Sequence, residues 1–428
     1  MKNNNINANK CEVKFNKFTK ELTAGYNKVA TKNIQELLLG IAKSESVLLS
    51  GICRAALKTS NIRKSVERFS RNLSAINYEN LKNNAAKIVG KILPQNKIYL
   101  VDDTEIIKPL AKKMEGLALV TDGSDDHKLK PGYWINEIVA LDKNHQPVSV
   151  SSQLYSAKEE GFLSANNVTQ TAIKNVVKRL GKGLFVFDRG FDGLRMHEFM
   201  AQEGLEYMVR ANVERHFLVN GNEINIEKAS CLGSKNYALD IKFQGQKPKK
   251  LKVSFAKISL IKLKKVELTL VTIKGLGNEN TTPLYIITNQ NIIGKETCLR
   301  VAKTYLSRWK IEEYFKFKKQ SYGLEKIQLK SLQALKNLNL LLSTTISFLA
   351  ILGNSAIKNN LLQLAKAPTK KVAFIYYRLA LGFSALTTNL KLITQKPKTN
   401  SFRHIPKQRD FFYHLRYDKT WKKNTQPA

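Results

Sequence analysis

The stretch "KIYLVDDTEII", residues 97–107, marks a change of pattern along the chain. β-Branched and apolar residues dominate it, and they predict a buried strand. Two adjacent acids, Asp102 and Asp103, end its apolar part. A carboxylate inside a sheet costs several kcal/mol unless another group compensates it, so we expect a partner for these acids. A strand-end aspartate can also cap a turn through a residue such as Thr104, and this motif alone does not decide between the two roles.

The segments on either side of this stretch differ in the spacing of their apolar residues. Before it, apolar residues three and four positions apart predict helices from Asn33 to about Lys91. After it, short apolar runs and one helical pattern predict strands at 116–122, 134–142, 146–156 and 184–190, with a helix at 166–183. Strands followed by a helix and a further buried strand favour an α/β sheet.

Alternating apolar and polar residues predict a mainly β segment from Glu206 to about Asn289, with a turn at Asn220-Gly221. Helix is predicted again from about Gly294 to Leu392, and a basic, aromatic tail follows. We therefore predict four units: a helical N-terminal domain at 1–93, an α/β core at 94–330, a β-rich insertion within it at 206–290, and a helical C-terminal region with its tail at 331–428.

The charge of the chain limits the classes of partner. Lys and Arg total 71 against 34 acids, a formal net charge of +37, which favours a polyanion. Part of this excess follows from a composition rich in Lys, Asn and Ile, the residues of A/T-rich codons. The sequence shows neither an amphipathic helix with a clustered basic face nor a lipidation motif, so nucleic acid is favoured over a membrane surface.

Two apolar features bear on location. The first residues lack the apolar core of a secretory signal, which predicts a cytoplasmic protein. The run from Leu338 to Gly353 contains five polar residues and is shorter than the roughly 20 residues needed to cross a bilayer, so we expect a buried helix and no membrane partner.

A second acid follows a buried strand in "LFVFDRGFDG", residues 184–193. Four apolar residues run directly into Asp188, and the carboxyl ends of strands in open α/β sheets are where ligand sites gather. Asp192 is the alternative cap or turn residue in this motif. Neither strand end by itself identifies a reaction.

The third candidate acid lies in "YLSRWKIEEYFKFKK", residues 305–319. At about 100° per residue, Tyr305, Arg308, Glu312 and Lys319 fall within about 60° of one another on a helix, in a stripe roughly 20 Å long. Taken alone, the stripe also fits a solvated helix face with an ordinary i,i+4 ion pair. Together with two strand-end aspartates, it predicts oxygen ligands for two Mg²⁺ or Mn²⁺ ions and phosphoryl chemistry on nucleic acid.

The spacing of these four residues resembles the Tyr-Arg-Glu-Lys signature of bacterial insertion-sequence transposases of the DDE type. "VDDTE" resembles the first aspartate motif of that family and "FDRGFD" the second, in the same order. The resemblance covers about residues 97–330 and implies an RNase H-like core with a mixed sheet and a β-rich insertion. It also implies a cut-and-paste reaction in which a freed 3′-hydroxyl attacks the opposite strand and forms a hairpin before joining to target DNA.

The resemblance implies a role for each motif residue. Asp188 and Glu312 would be catalytic metal ligands together with an aspartate of "VDDTE". Asp102 is expected because some family members have a small residue and then Thr after the aspartate, while others have Thr directly after it, which would select Asp103.

The remaining residues of the motifs would bind DNA. Tyr305, Arg308 and Lys319 would hold phosphates, and Arg210 in "YMVRAN" resembles an arginine that faces DNA in relatives, although an exposed strand arginine fits equally well. The implied partners are double-stranded element ends, target DNA and a second copy of the chain. A stand-alone metal-dependent nuclease and an inactive, transposase-derived DNA-binding protein are the alternatives.

Overall fold

Helices fill the N-terminal part of the chain in a computed structural model that describes residues 2–57, 61–233, 235–242, 248–276, 282–366 and 374–394. The predicted basic tail lies outside the described residues. The helices are α1 (Lys2–Leu22), α2 (Lys28–Ser44), α3 (Leu49–Ala56), α4 (Ile62–Ala75) and α5 (Tyr78–Gly90). Asparagine side chains at 27, 61 and 77 accept a backbone N–H in the first turns of α2, α4 and α5, which fixes where these helices begin. Helix α1 begins before the predicted helical region.

A mixed sheet follows the helices and carries the first two candidate acids. Its strands are β1 (Ile98–Ile107), β2 (Ala118–Asp122), β3 (Lys128–Leu141), β4 (Pro147–Tyr155), β5 (Leu184–Phe187) and β6 (Glu206–Arg210). Strand β3 pairs with β1, β2 and β4 in antiparallel fashion, whereas β1, β5 and β6 run parallel. Parallel neighbours need crossover connections, and α6 (Ala165–Leu180) and α7 (Leu194–Gln202) supply helices for them. The mixed α/β core expected of an RNase H-like fold is confirmed.

The β-rich segment continues the same sheet. Its strands are β7 (His216–Val219), β8 (Asn222–Asn225), β9 (Tyr237–Ile241), β10 (Lys249–Leu260), β11 (Leu263–Lys274) and β12 (Leu284–Thr288), with α8 (Ile226–Cys231) between β8 and β9. Strand β12 pairs with β6, so the segment is hydrogen-bonded to the strand next to β5. The predicted turn is present: Asn220 and Gly221 both have positive φ, as a tight hairpin turn requires.

Helices return after β12, as predicted, but the predicted single helix through residues 305–319 is wrong. Helix α9 (Lys295–Leu306) ends before Arg308, α10 (Trp309–Lys316) begins after it, and a π-helical turn (Phe317–Ser321) follows directly. The chain continues with α11 (Leu332–Gly353), α12 (Lys358–Leu364) and α13 (Tyr376–Thr394). Tyr305, Glu312 and Lys319 therefore lie on three consecutive helical pieces, and Arg308 lies at the junction of the first two, so the four residues do not form one straight stripe.

Helix α11 is the central helix of the molecule. Its 22 residues are long and apolar enough to cross a membrane, but 89% of its most apolar window is buried inside the protein. It packs against β4 of the sheet and against α2, α4 and α5 of the N-terminal part. Its polar residues have internal partners; the Asn337 amide, for example, donates to the carbonyls of Leu73 and Ile76. The predicted buried helix is confirmed, and it begins at Leu332.

Candidate active site

The two aspartates of β1 point to opposite faces of the sheet, as consecutive strand residues do. Asp103 accepts a hydrogen bond of 2.8 Å from Asn136 of β3, which also donates to Thr169 of α6 at 2.9 Å. Burial raises the pKa of Asp103 to about 7, and the Asn136 bond partly offsets this. Asp102 turns to the other face, where its Oδ2 accepts from Arg308 at 3.0 Å.

Asp188 follows the last residue of β5. Phe187 pairs with Val101 in the parallel register, so Asp188 and Asp102 both come one residue after that pair, on neighbouring strands. Asp188 precedes a short 3₁₀ turn (Arg189–Phe191) without capping it through its side chain. Its Oδ1 is buried and has no hydrogen-bond partner in the described residues; the Arg308 guanidinium is 3.8 Å away.

Glu312 lies in the first turn of α10 and accepts from the guanidinium of Arg308, four residues earlier. The Arg308 side chain is only 13% exposed. One guanidinium therefore contacts three acids that come from a strand, a strand end and a helix. The parallel pairing of β1 with β5 and the position at which α10 begins bring Asp102, Asp188 and Glu312 to one place.

The electrostatics of the cluster reflect burial of several charges. Burial raises the pKa of Asp102 to about 7; Arg308 lowers it, while Asp188 and Asp103 raise it further. Burial alone would lower the pKa of Arg308, but the neighbouring acids, led by Asp188, raise it above its ordinary value. Cationic charge among these carboxylates is therefore favourable.

The donor set fits a hard divalent cation. Carboxylate oxygens are the ligands that Mg²⁺ and Mn²⁺ prefer, and the buried Oδ1 of Asp188, which accepts no hydrogen bond in the described residues, is available as a metal-ligand atom. As the side chains stand, the guanidinium lies among the acids, and no three acidic, His or Cys side chains of the described ranges are arranged to share a metal. Metal binding by these acids requires Arg308 to turn away.

Not all of the other predicted DNA-binding residues lie beside this cluster, because Lys319 pairs with an acid that points to the opposite face of β1 from Asp102. Tyr305 is 4% exposed, and its buried hydroxyl has no hydrogen-bond partner in the described part of the chain. Lys319 contacts Glu105 of β1 at 2.9 Å and Glu325 at 3.5 Å. Arg210, at the end of β6, forms no ion pair with the acids that the structure describes.

Asp192 has a structural role, through side-chain contacts with distant residues and not as the side-chain cap or turn residue expected from its motif. It is buried and accepts from the His197 ring, the Asn212 backbone and the Arg215 guanidinium, at 2.7 to 2.8 Å. His197 in turn contacts the Tyr207 hydroxyl at 2.7 Å. These bonds fix the loop after Asp188 against β6 and the start of the β-rich segment. The second acid of "FDRGFD" was the only sequence signal for this cluster.

A comparison with models of protein families identifies the family of this chain. The family model described as "Transposase DDE domain" matches residues 98–348, more than half of the 428 residues. The matched region includes β1, the loop after β5 and helices α9 to α10, which carry the acids and Arg308. A search of curated proteins found no match.

Proposed function

Because this chain belongs to the transposase DDE domain family, we propose that it is an insertion-sequence transposase of the Tyr-Arg-Glu-Lys type. In this proposal it cleaves DNA at the ends of its element and joins those ends to target DNA. The observation that carries the proposal is the meeting of Asp102, Asp188 and Glu312 at one guanidinium, in a chain with a net charge of +37.

The three acids are proposed to hold two Mg²⁺ or Mn²⁺ ions. Ions bound there would activate an attacking oxygen and stabilise the leaving oxygen of a phosphodiester. Asp102 is favoured over Asp103 as the first ligand, because Asp102 shares a sheet face and a cationic partner with Asp188. Asp103 points to the opposite face and is held by Asn136, which supports a structural role.

Arg308 is proposed to change partners when DNA binds. Its planar fork can hold carboxylates or phosphate oxygens with similar geometry. In the free chain it pairs with the three acids; on the complex it would hold a phosphate beside the break. Lys319 would exchange Glu105 for a second phosphate, and Arg210, with Tyr305 after a turn of its side chain, would contact the same DNA.

The proposed reaction follows the family resemblance. Hydrolysis at an element end frees a 3′-hydroxyl, which attacks the opposite strand to form a hairpin; the hairpin is reopened and the end joined to target DNA. We propose that two copies of the chain hold the two ends in a synaptic complex in the bacterial cytoplasm. The helical domain at 1–93 would bind DNA, the core at 94–330 with its insertion at 206–290 would catalyse, and the region at 331–428 would complete the fold.

The test uses the purified chain, Mg²⁺ and DNA carrying the inverted repeats that flank the gene. Joined products are expected. Cut products without joining would instead identify a nuclease on the same core, and a shifted band without chemistry would identify an inactive DNA-binding relative. Short inverted repeats bounded by a target duplication around the gene would independently support the element.

A further inference from the structure

A fully buried ion pair lies behind the candidate site. Lys318 and Glu137 are both 0% exposed, and the ammonium is 2.9 Å from Glu137 Oε2. Lys318 also donates to three side-chain oxygens at 3.0 to 3.2 Å, those of Ser152, Asn339 and Ser343. Glu137 accepts from the hydroxyls of Ser149 and Ser152. Both buried charges are therefore compensated by an ordered set of partners.

This pair connects the strand beside Asp102 to the turn that continues the helix of Glu312. Glu137 of β3 lies directly opposite Asp102 of β1 in the antiparallel register. Residues directly opposite each other on such strands project from the same face, with their Cβ atoms about 5 Å apart. Lys318 lies in the π-helical turn that directly continues α10, the helix of Glu312. The ion pair thus joins the position beside Asp102 to the helix of Glu312.

The π-helical turn carries two adjacent lysines in different environments. Its i→i+5 hydrogen bonds accommodate one residue more per turn than an α-helix, a geometry that recurs at functional sites. Lys318 points inward at 0% exposure, whereas its neighbour Lys319 points toward Glu105 of β1 at 21%. Phe317 is also fully buried and packs edge-on against Tyr322. The turn is anchored on its inner side by both a charge and an aromatic ring.

We propose that Lys318 and Glu137 are a positioning pair that fixes α10 against β1, so that Glu312 and Asp102 stay within reach of the same cation. This rests on the proposed function, in which both acids are metal ligands. Replacing a buried ion pair with uncharged residues of similar volume is often neutral for stability. Directed contacts from one ammonium to four oxygens instead restrict the rotation and translation of the helix, which a metal site needs.

The test is the double variant Lys318→Met with Glu137→Gln, which removes both charges and keeps similar shapes. We expect unfolding at a similar denaturant concentration and unchanged affinity for end DNA. Affinity for Mn²⁺, measured on the complex with already cleaved end DNA, should fall about tenfold, and single-turnover cleavage should fall by at least as much, as for other residues that orient metal ligands. A purely structural role predicts the same Mn²⁺ affinity and cleavage rate as wild type, and that result would overturn the inference.

The matched control removes another lysine–glutamate pair, between Lys336 of α11 and Glu159. Lys336→Met with Glu159→Gln should leave Mn²⁺ affinity and cleavage unchanged; an equal loss in this control would show that any lost ion pair has the effect and would overturn the inference. If the Lys318 double variant does not fold, Asn339→Ala removes one acceptor of Lys318 and should weaken Mn²⁺ binding less, in the same direction. Wild-type Mn²⁺ affinity in folded Asn339→Ala would again contradict the inference.

The same titrations separate this inference from the proposed function. Wild-type protein whose Mn²⁺ binding does not depend on Asp188 would overturn the proposed metal site itself. Wild-type binding that depends on Asp188 and is unchanged in the Lys318 double variant would overturn the positioning role alone.

Discussion

At the scale of single residues, Asp188 and Glu312 are two of the proposed metal ligands. We expect Asp188→Asn and Glu312→Gln each to abolish Mg²⁺-dependent cleavage while end-DNA binding stays nearly intact, because a lost ligand removes the chemistry and not the phosphate contacts. Cleavage gels and binding titrations on the same DNA measure both. The neighbouring Glu313→Gln is the control and should cleave normally; Mg²⁺-dependent cutting by either site variant would refute the assignment.

The opposite orientations of Asp102 and Asp103 give a second residue-level prediction. Asp102→Asn should be inactive, because it removes a ligand on the face of Asp188. Asp103→Asn should keep part of its activity, because an amide oxygen can still accept from Asn136. Cleavage rates of the two variants decide the matter. Normal cleavage by both would place the first ligand elsewhere.

The dual contacts of Arg308 and Lys319 predict a change in salt dependence. If each side chain takes up a phosphate on binding, Arg308→Ala and Lys319→Ala should each weaken end-DNA binding. Each should also reduce the slope of log affinity against log salt concentration by the amount expected for the loss of one phosphate contact, because fewer counterions are released on binding. First-strand nicking should survive better than hairpin formation, since bending the second strand into attack depends most on held phosphates. Lines parallel to wild type over a salt series would show that neither side chain contacts DNA.

At the scale of elements, the end of α2 predicts a pH dependence of stability. Glu45 is the C-terminal cap of this helix, and its backbone has left-handed φ and ψ angles. Burial raises the pKa of its carboxyl group to about 7 from an ordinary 4.5. The folded state then binds a proton more tightly than the unfolded chain, so stability is lost as pH rises from about 4.5 to about 7. Glu45→Gln should be more stable than wild type by roughly 2 kcal/mol at pH 8 and equal to it at pH 4.

Denaturant unfolding at the two pH values measures this difference. The exposed Glu160→Gln is the control and should follow wild type at both. A Glu45→Gln variant whose advantage is the same at pH 4 and pH 8 would contradict a buried, titrating Glu45.

The strands of the site could be predicted from the sequence, but the contacts between distant elements could not. The strands before Asp102 and Asp188 follow from short apolar runs, so the strand ends of the site were predictable. The contact of Arg308 with Asp102 joins positions 206 residues apart, and helical periodicity within one segment carries no information about it. Periodicity also assumes an unbroken helix, so it could not tell buried Lys318 from its neighbour Lys319 across a π-helical turn.

At the scale of the whole molecule, α11 packs against both the N-terminal helices and the sheet, so the N-terminal part and the core are expected to depend on each other for stability. Residues 1–93 supply α2, α4 and α5, which cover this apolar helix. A fragment beginning at residue 94 should therefore expose a large apolar surface and aggregate. Light scattering and binding of an apolar dye measure this, with the full chain as reference. A soluble fragment without dye binding would show that the N-terminal helices fold separately.

The guanidinium among the three acids has a consequence for the protein inside a cell. A cation attached to the chain is present at a constant local concentration that neither a chelator nor a change in metal supply can lower. At the proposed metal site, ions that bind carboxylates more tightly than Mg²⁺ would have to compete with this tethered charge. If these acids hold the metal, Arg308 itself would protect the resting protein against mismetallation until a DNA phosphate offers that arginine another partner.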